Sequence, residues 1–254
     1  MDPLIRFSGL VRHGLRFRSR FEEIKRHAAP VGFLWYPYDS FANLFALERL
    51  RREAGLTLAQ MAGTMPLLDL GTADGAMAFL FESLGYAVHA CDHAATNINH
   101  MQGARRLAAA LGSQVEIEDI DLDGGWVPKR EYGLALFLGT LYHLKNPFAI
   151  LERLSTRARY CFLSTRVAGW SPDRTVELGR VPAAYLLAPE ECNGDTTNYW
   201  VFSPPGLVRL AERCGWSLRA SLRSGPRDSD PATAAGDERQ FLLLESLVFD
   251  DGQR

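Results

Sequence analysis

The sequence predicts an α/β fold in which a doubly wound, mostly parallel sheet carries helices on its faces. Two observations predict it: short apolar runs recur between residues 66 and 165, and most of them are separated by segments of helical pattern. With 254 residues, 47% of them hydrophobic, the chain is long enough to bury the core that such a sheet requires. A disordered segment, a fibre and a small disulfide-stapled scaffold are therefore excluded.

Residues 1–60 are predicted to form a helical extension or lid, followed by the main domain at 61–254. Within residues 1–30, apolar residues recur at steps of three and four, the spacing of one or two amphipathic helices. This segment is also basic, because Arg6, Arg12, Arg16, Arg18, Arg20, Lys25 and Arg26 outnumber Asp2, Glu22 and Glu23. The pattern allows three interpretations: a packed lid, a surface for RNA phosphates or an acidic substrate, and a transit peptide.

The strands of the main domain are predicted where apolar runs end in turn residues. They lie at residues 67–70, 86–91, 115–120, 134–138 and 160–165. Helices are predicted over residues 76–84 and 97–111, since a glycine follows each of them. A third helix begins near Pro147, because proline suits the first helical turn.

Residues 168–198 interrupt this alternation of strands and helices. They are rich in Pro, Gly, Asp and Thr, and a segment of this length is usually a lid, a binding loop or disordered. After it, Ser203 is predicted to cap a helix that ends at Gly215. A strand from Trp216, a turn region at 223–237 and a strand at 240–249 then predict a C-terminal antiparallel hairpin.

Composition limits the partners and the compartment. The formal net charge of −2 disfavours a globally basic nucleic-acid binder but permits a local basic face. The four cysteines form no C-x-x-C pair and no histidine cluster completes a zinc pattern, so we expect no metal site and a reduced, cytoplasmic compartment. No apolar run is long enough to cross a bilayer and no signal core precedes the first helix, so no membrane partner is expected. The oligomeric state stays unknown at this level.

The clearest chemistry follows the first predicted strand. The run Asp69-Leu70-Gly71-Thr72-Ala73-Asp74-Gly75 places an acid at the strand end and a glycine-containing turn before the helix. Glycine permits the tight turn and lets a ligand approach the backbone. Asp92 ends the second strand, 21 residues after Gly71, where a carboxylate can accept both hydroxyls of a ribose. The sequence therefore predicts an adenosine-containing cofactor at the carboxyl ends of the strands.

The glycine spacing distinguishes between cofactors. A dinucleotide-binding turn has the pattern G-x-G-x-x-G to seat a pyrophosphate, whereas this turn has Gly71-x-x-x-Gly75 and an acid, Asp74. We expect Asp69 and Asp74 to make the mouth of the site negative, which suits a cationic sulfonium. The pattern D-x-G-x-x-x-G resembles the first motif of class I S-adenosylmethionine-dependent methyltransferases, whose fold is Rossmann-like.

This resemblance implies where a cofactor binds. The implied cofactor contacts are Asp69, Gly71, Thr72, Ala73, Asp74, Gly75, Asp92, His93, Ile120, Asp121 and Gly139. Asp121 lies just past the third strand, where this fold commonly recognises the adenine amino group. The segment from Gly139 to Leu144 follows the fourth strand, where the methyl group of the cofactor faces the substrate.

Three segments are similar to one branch, the enzymes that modify the wobble uridine of tRNA to 5-oxyacetyl or methoxy uridine. They are Gly139-Thr140-Leu141-Tyr142-His143-Leu144, the run from Thr197 to Pro204, and Trp35. The resemblance covers roughly residues 30–220. The substrate contacts that we expect are Trp35, Tyr36, Tyr38, Tyr199 and Arg239.

The chain departs from the members of this branch that transfer a carboxymethyl group from carboxy-S-adenosylmethionine. Those enzymes use lysines before and just after the tryptophan that matches Trp35, and here Tyr36-Pro37-Tyr38-Asp39-Ser40 follows. Lys25 and Arg26 have a different spacing, and Arg239 is one possible match to a basic residue on the cofactor carboxylate. The sequence therefore favours plain S-adenosyl-L-methionine.

A sulfonium methyl group is already activated, so the protein mainly positions the nucleophile. His143 is the candidate general base, because its ordinary pKa is near neutral. Tyr142 would orient the acceptor or shield the methyl group. The alternative role of His143 is to cap the loop, and the alternative role of Tyr142 is packing alone. We expect methyl transfer to an oxygen nucleophile, either in a tRNA wobble uridine or in a small molecule. A non-catalytic cofactor-binding or RNA-binding scaffold is the alternative from another class.

Overall fold

The computed structural model describes residues 8–233 and 236–250, and the chain divides into two compact units. The first unit comprises the described residues up to Gly125 together with Glu131–Leu136. The second comprises Trp126–Arg130 and the described residues from Phe137 onward. One strand, Tyr132–Leu138, begins in the first unit and ends in the second.

The first unit combines a parallel sheet with helices. Its helices are α1 (Gly9–His27), α2 (Asn43–Glu53), α3 (Leu58–Ala62), α4 (Ala76–Ser83) and α5 (Gln102–Leu111). Its strands are β1 (Leu67–Leu70), β2 (Val88–Asp92), β3 (Glu116–Asp119) and the first part of β4 (Tyr132–Leu138). The strand order is β3-β2-β1-β4, and the β1–β2 and β2–β3 pairs are parallel. This arrangement brings the carboxyl ends of β1 and β2 together.

Helix α1 is a single amphipathic helix over the described part of the N-terminal segment. Residues 1–7, which the predicted helical segment also included, lie outside the described residues. The Ser8 hydroxyl caps it by accepting a hydrogen bond from the Val11 amide at 3.1 Å. Leu10, Val11 and Phe21 are buried on one side of the helix. The prediction of an amphipathic helix in this region is therefore confirmed for residues 9–27.

Helix α5 begins later than residue 97, where the sequence predicted it. The Asn97 side chain accepts hydrogen bonds from the Asn99 and Met101 amides at 3.1 and 2.9 Å, and His100 and Met101 have positive φ. A side chain that binds nearby amides offers the backbone an alternative to the helix. The helix therefore starts only at Gln102.

The second unit contains the antiparallel C-terminal strands that the sequence predicts. Its elements are α6 (Pro147–Ser155), β5 (Ala158–Val167), β6 (Ala184–Leu186), β7 (Trp200–Phe202), α7 (Pro204–Arg213), β8 (Trp216–Ser224) and β9 (Glu238–Ser246). Strand β9 is antiparallel to both β5 and β8, whereas β7 is parallel to β5. Strand β9 ends at Ser246, whose hydroxyl accepts the Val248 and Phe249 amides and turns the chain.

The interruption at residues 168–198 is folded in its own right. It contains β6, which pairs antiparallel with β7. Ala168, Leu187, Cys192 and Val201 form a small buried cluster beneath it. All four cysteines are buried, and none of them forms a disulfide within the described residues. Within residues 8–233 and 236–250, no helix has both the length and the apolar character that a bilayer crossing needs.

Candidate functional site

The turn after β1 requires glycine and encloses a buried acid. Gly71, Ala73 and Gly75 have φ values of 72°, 55° and 84°, in the left-handed region. A Cβ on Gly75 would collide with the Phe79 ring, so a side chain cannot replace this glycine without displacing that ring. Asp69 is buried at the start of the turn, and the Thr72 hydroxyl donates to its Oδ2 at 2.6 Å. Burial raises the pKa of Asp69 to about 6.

Asp92 presents its carboxylate to the same turn. Its Oδ2 accepts a hydrogen bond from the Ala73 amide at 2.7 Å, and its Oδ1 accepts one from the His93 amide at 2.8 Å. Burial raises the pKa of Asp92, while these two amides act in the opposite direction. A carboxylate oxygen has two acceptor sites, so each oxygen can still accept another donor. The residue is therefore suited to a pair of neighbouring hydroxyl groups, such as those of a ribose.

The loop after β3 is fastened to the end of β2. The amide of Ile120, which is buried, donates to the Asp92 carbonyl oxygen at 2.8 Å. Asp121 is exposed, and its Oδ1 accepts the Asp123 amide at 2.9 Å. The structure thus brings Ile120 against Asp92, whereas the Asp121 carboxylate orders its own turn; the predicted cofactor contacts of Ile120 and Asp121 stay predictions.

Asp74 forms contacts that the sequence did not predict. Its Oδ2 lies 3.0 Å from the Lys25 ammonium and accepts the Tyr36 amide at 2.8 Å; its Oδ1 accepts the Asn99 side-chain amide at 2.8 Å. The Lys25 and Asp74 side chains are only 13% and 4% exposed, so this is a buried ion pair. Lys25 therefore compensates the charge of Asp74, which the expectation of a negative mouth at Asp69 and Asp74 did not include; Asp69 is buried, and its pKa is raised to about 6.

The ion pair fastens an aromatic segment, residues 33–38, to the glycine turn. The Lys25 ammonium lies 5.1 Å from the centre of the Trp35 ring, which meets the Phe33 ring edge-on at 4.6 Å. The Tyr36 hydroxyl accepts the Ile98 amide at 3.2 Å, and burial raises the pKa of Tyr36 to about 12. Tyr38 is 75% exposed. Trp35 and Tyr36 are thus brought to the turn, and Tyr38 points largely into solvent.

In the second unit, Gly139, Tyr142 and Arg239 come together. Gly139 has a φ of 73°, and a Cβ there would lie 3.5 Å from Arg239 Nη1 and 3.9 Å from the Tyr142 hydroxyl. The Arg239 guanidinium lies 5.9 Å from the centre of the Tyr142 ring, and its Nε donates to Asp237 at 2.8 Å. A cation is therefore held beside a phenol at the turn that follows β4.

His143 contacts the end of the insertion. Its Nδ1 lies 2.9 Å from the Thr197 hydroxyl and 3.2 Å from the Thr197 carbonyl oxygen. The Thr197 hydroxyl in turn donates to Asp195 Oδ1 at 2.6 Å. Burial lowers the pKa of His143, against a smaller raising effect of Asp195. The sequence singled out the run that begins at Thr197 and the insertion around Asp195 but predicted no contact of either residue with His143, although the D-x-T spacing is a turn signal.

Tyr199 completes the contact between the insertion and this turn. Its amide donates to the Tyr142 carbonyl oxygen at 2.8 Å, and the Lys145 ammonium lies 5.9 Å from its ring centre. Residues 195–199 therefore cover the backbone of Tyr142 and one side of the His143 ring. Tyr142 and His143 are both part-buried at this contact.

A further polar cluster lies on β2, β3 and β4. His89 is buried, with Nδ1 at 2.7 Å from the Tyr132 hydroxyl and Nε2 at 3.0 Å from Glu118 Oε2 and 3.3 Å from Cys91 Sγ. The atoms that His89, Cys91 and Glu118 could offer to a metal lie within 4.8 Å of one another. Hydrogen bonds to Tyr132 and Glu118 are sufficient to stabilise a buried histidine here.

Comparisons with known proteins identify the family and the fold. Residues 38–221 match the family model described as a methyltransferase domain. No curated protein matches the chain. A similar solved structure is the N-terminal domain of EvdMO1 with S-adenosylhomocysteine bound, which is 14% identical with a TM-score of 0.55; the match covers 90% of this chain and 96% of that one.

Two further solved structures are similar. The S-adenosylmethionine-dependent methyltransferase of Methanosarcina mazei is 15% identical with a TM-score of 0.52, over 72% of this chain and 93% of that one. The 1,6-didemethyltoxoflavin-N1-methyltransferase of Burkholderia thailandensis is 18% identical with a TM-score of 0.50, over 78% and 77%. At these identities the likeness establishes the fold.

Proposed function

Because the chain belongs to the methyltransferase-domain family and is an S-adenosylmethionine-dependent methyltransferase, we propose that it methylates an oxygen atom of a small molecule. One observation carries the choice of acceptor: residues 195–199 cover the Tyr142-His143 turn, through the bonds from Thr197 and Tyr199. This cover limits the size of the group that reaches His143. We therefore expect the acceptor to be a small hydroxylated molecule.

The first unit supplies the residues for the cofactor. The Asp92 carboxylate would accept the ribose hydroxyls, because both of its oxygens keep acceptor capacity beside the bonds from Ala73 and His93. The glycine turn would admit the cofactor to the backbone between Gly71 and Gly75, and Ile120 and Asp121 would flank the adenine. When bound, S-adenosylmethionine supplies a methyl group on a sulfonium sulfur, which needs no further activation.

The second unit supplies the residues for the acceptor. His143 would take the proton of the acceptor hydroxyl on Nε2, and the lowered pKa keeps its ring neutral and therefore basic near pH 7. Tyr142 would orient the acceptor, and Arg239 would favour an oxygen that carries developing negative charge, since it stands beside the Tyr142 hydroxyl.

The positions of the lysines favour plain S-adenosylmethionine as the cofactor over its carboxylated form. Lys25 is the upstream lysine nearest to the aromatic segment, and its ammonium is already paired with Asp74 in a buried site. Lys25 could bind a cofactor carboxylate only if its ion pair with Asp74 were broken. Mass analysis of the nucleoside released from the purified protein tests this choice: a mass higher by one carboxyl group would contradict it.

The small-molecule acceptor is also supported by two proteins of similar fold. The N-terminal domain of EvdMO1 was crystallised in the presence of S-adenosylhomocysteine and D-fucose. The 1,6-didemethyltoxoflavin-N1-methyltransferase holds bound 1,6-didemethyltoxoflavin and S-adenosylhomocysteine. These molecules belong to those proteins; the second of them shows that a similar fold binds a molecule of the size of 1,6-didemethyltoxoflavin.

The test is methyl transfer to defined acceptors. The purified chain is incubated with S-adenosylmethionine labelled in its methyl group, together with either a panel of phenols and sugars or bulk tRNA. We expect label in a small hydroxylated acceptor, and a large loss of transfer in His143→Gln with unchanged binding of S-adenosylhomocysteine. Label in tRNA alone would overturn the small-molecule proposal.

A tRNA wobble uridine is the second candidate acceptor, and a specific observation favours it. Arg12, Arg16 and Arg20 follow one another at steps of four on α1, and all three are exposed. Residues four apart lie on the same face of a helix. They form a row of positive charge that could neutralise phosphates of an RNA backbone.

A further inference from the structure

The hydrogen bonds around Thr197 determine which nitrogen of His143 carries a hydrogen. A carboxylate only accepts hydrogen bonds, so the single hydroxyl hydrogen of Thr197 is directed to Asp195, 2.6 Å away. Toward His143, the Thr197 hydroxyl can then act only as an acceptor. The Thr197 carbonyl oxygen, 3.2 Å from the same nitrogen, is also an acceptor. Both contacts require a hydrogen on Nδ1 of His143.

We propose that Asp195 and Thr197 form a relay that holds His143 in the tautomer with hydrogen on Nδ1, which leaves Nε2 unprotonated and able to accept a proton. A neutral imidazole carries one hydrogen, so fixing it on Nδ1 frees the lone pair of Nε2. The inference deepens the proposed function and rests on it for the use of Nε2 as the base. Asp195 and Thr197 are positioning residues, because they act through His143.

Charge adds a second effect of Asp195. The groups that face His143 are Asp195, Thr197, Arg239 and the Tyr142 ring, whose centre is 4.2 Å from that of the imidazole. Burial and Arg239 lower the pKa of His143, and Asp195 raises it. Removal of this carboxylate should therefore lower the pKa further and weaken the base.

Two substitutions at residue 195 separate the two effects. Asp195→Asn keeps an oxygen that can accept the Thr197 hydroxyl but removes the charge. Asp195→Ala removes both, so the Thr197 hydroxyl becomes free to donate to Nδ1 and to favour the other tautomer. The insertion also offers a matched control: Asp173 Oδ1 accepts the Thr175 amide and hydroxyl at 3.1 and 2.8 Å in a turn of the same D-x-T pattern. Asp173→Ala disturbs that turn alone.

Long-range ¹H–¹⁵N spectra of the full chain with ¹⁵N-labelled histidine test the relay without any acceptor. We expect His143 to show a protonated Nδ1 and a bare Nε2 above its pKa in the wild type and in Asp173→Ala. Asp195→Asn should keep this tautomer and lower the pKa, because it removes the carboxylate that raises the pKa of His143. Asp195→Ala should lower the pKa similarly and populate both tautomers.

The same spectra can overturn the proposal. A wild-type His143 with its hydrogen on Nε2, or an Asp195→Ala spectrum identical to that of Asp173→Ala, would do so. If Asp195→Ala does not fold, the tautomer of the wild-type His143 decides alone, and a hydrogen on Nε2 overturns the proposal. Methyl transfer is measured separately. If His143 has the predicted tautomer but no acceptor is methylated, the proposed function is refuted and the relay is not. If an acceptor is methylated, the acidic limb of the pH profile of methyl transfer should move to lower pH in Asp195→Asn.

Discussion

At the scale of single residues, Asp92 combines the strongest sequence signal with a geometry suited to a ribose. We expect Asp92→Ala to weaken binding of S-adenosylhomocysteine by roughly 1.5–3 kcal/mol, the range for hydrogen bonds to a charged group, or about 10- to 150-fold. Calorimetry measures this loss. Asp119→Ala is the matched control, because Asp119 lies beside Asp92 in the parallel register and its Oδ1 accepts one amide. Equal losses in the two variants would contradict the assignment of Asp92.

Asp69 should make stability depend on pH in the opposite direction to a salt-bridged acid. Its pKa is raised from 3.8 to about 6, mainly by burial, so the folded chain holds the proton more tightly than the unfolded chain. The free energy of unfolding therefore falls as pH rises from about 4 to about 6, and the full cost above that is about 3 kcal/mol.

The variant Asp69→Asn isolates this effect, since its side-chain oxygen can still accept the Thr72 hydroxyl. We expect its free energy of unfolding, relative to the wild type, to increase by up to about 3 kcal/mol between pH 4 and pH 8. Urea titrations at several pH values measure the difference. A difference that is constant with pH would show that Asp69 is ionised in the folded chain throughout.

At the scale of elements, α1 is attached to the glycine turn by the pair of Lys25 and Asp74. Lys25→Met keeps the alkyl stem and leaves Asp74 buried without its counter-ion, which should cost about 3–5 kcal/mol of the free energy of unfolding. Arg18→Met is the control: the Arg18–Asp39 pair is also 3.0 Å long, but its side chains are 45% and 41% exposed, so the cost should stay below about 1 kcal/mol. Similar small losses in both variants would show that the buried pair does not hold α1.

Elements with a local sequence signal were predicted well, and those that depend on distant partners were not. Strand β1 has the bounds that its apolar run predicts, and the cap at Ser203 is present, its hydroxyl accepting the Gly206 amide. Strand β6 was not predicted, because its three residues depend on pairing with β7 across the insertion. The site follows the same division: the glycine turn and Asp92 are local signals, whereas the partners of Asp74 and His143 are far away in sequence.

At the scale of the whole molecule, a net charge of −2 does not distinguish a tRNA acceptor from a small one. A local row of positive charge can distinguish them, because each contact with a phosphate makes tRNA binding depend on salt. The logarithm of the binding constant then falls with the logarithm of the salt concentration with a slope of about −0.7 to −0.9 for each contact. If α1 meets RNA, simultaneous replacement of Arg12, Arg16 and Arg20 by alanine should reduce the slope by about 2 to 3 and leave S-adenosylhomocysteine binding intact. Filter binding of bulk tRNA across a salt series measures both slopes.

Arg18 gives this experiment its internal control, because it lies on the same helix but is paired with Asp39. Arg18→Ala should change the slope by much less than Arg16→Ala, since the charge of Arg18 is already compensated. If the acceptor is a small molecule, neither substitution matters and tRNA binding is weak even at low salt. Absence of tRNA binding would remove the wobble-uridine candidate. A steep salt dependence that the triple variant removes would instead favour the tRNA wobble uridine as the acceptor.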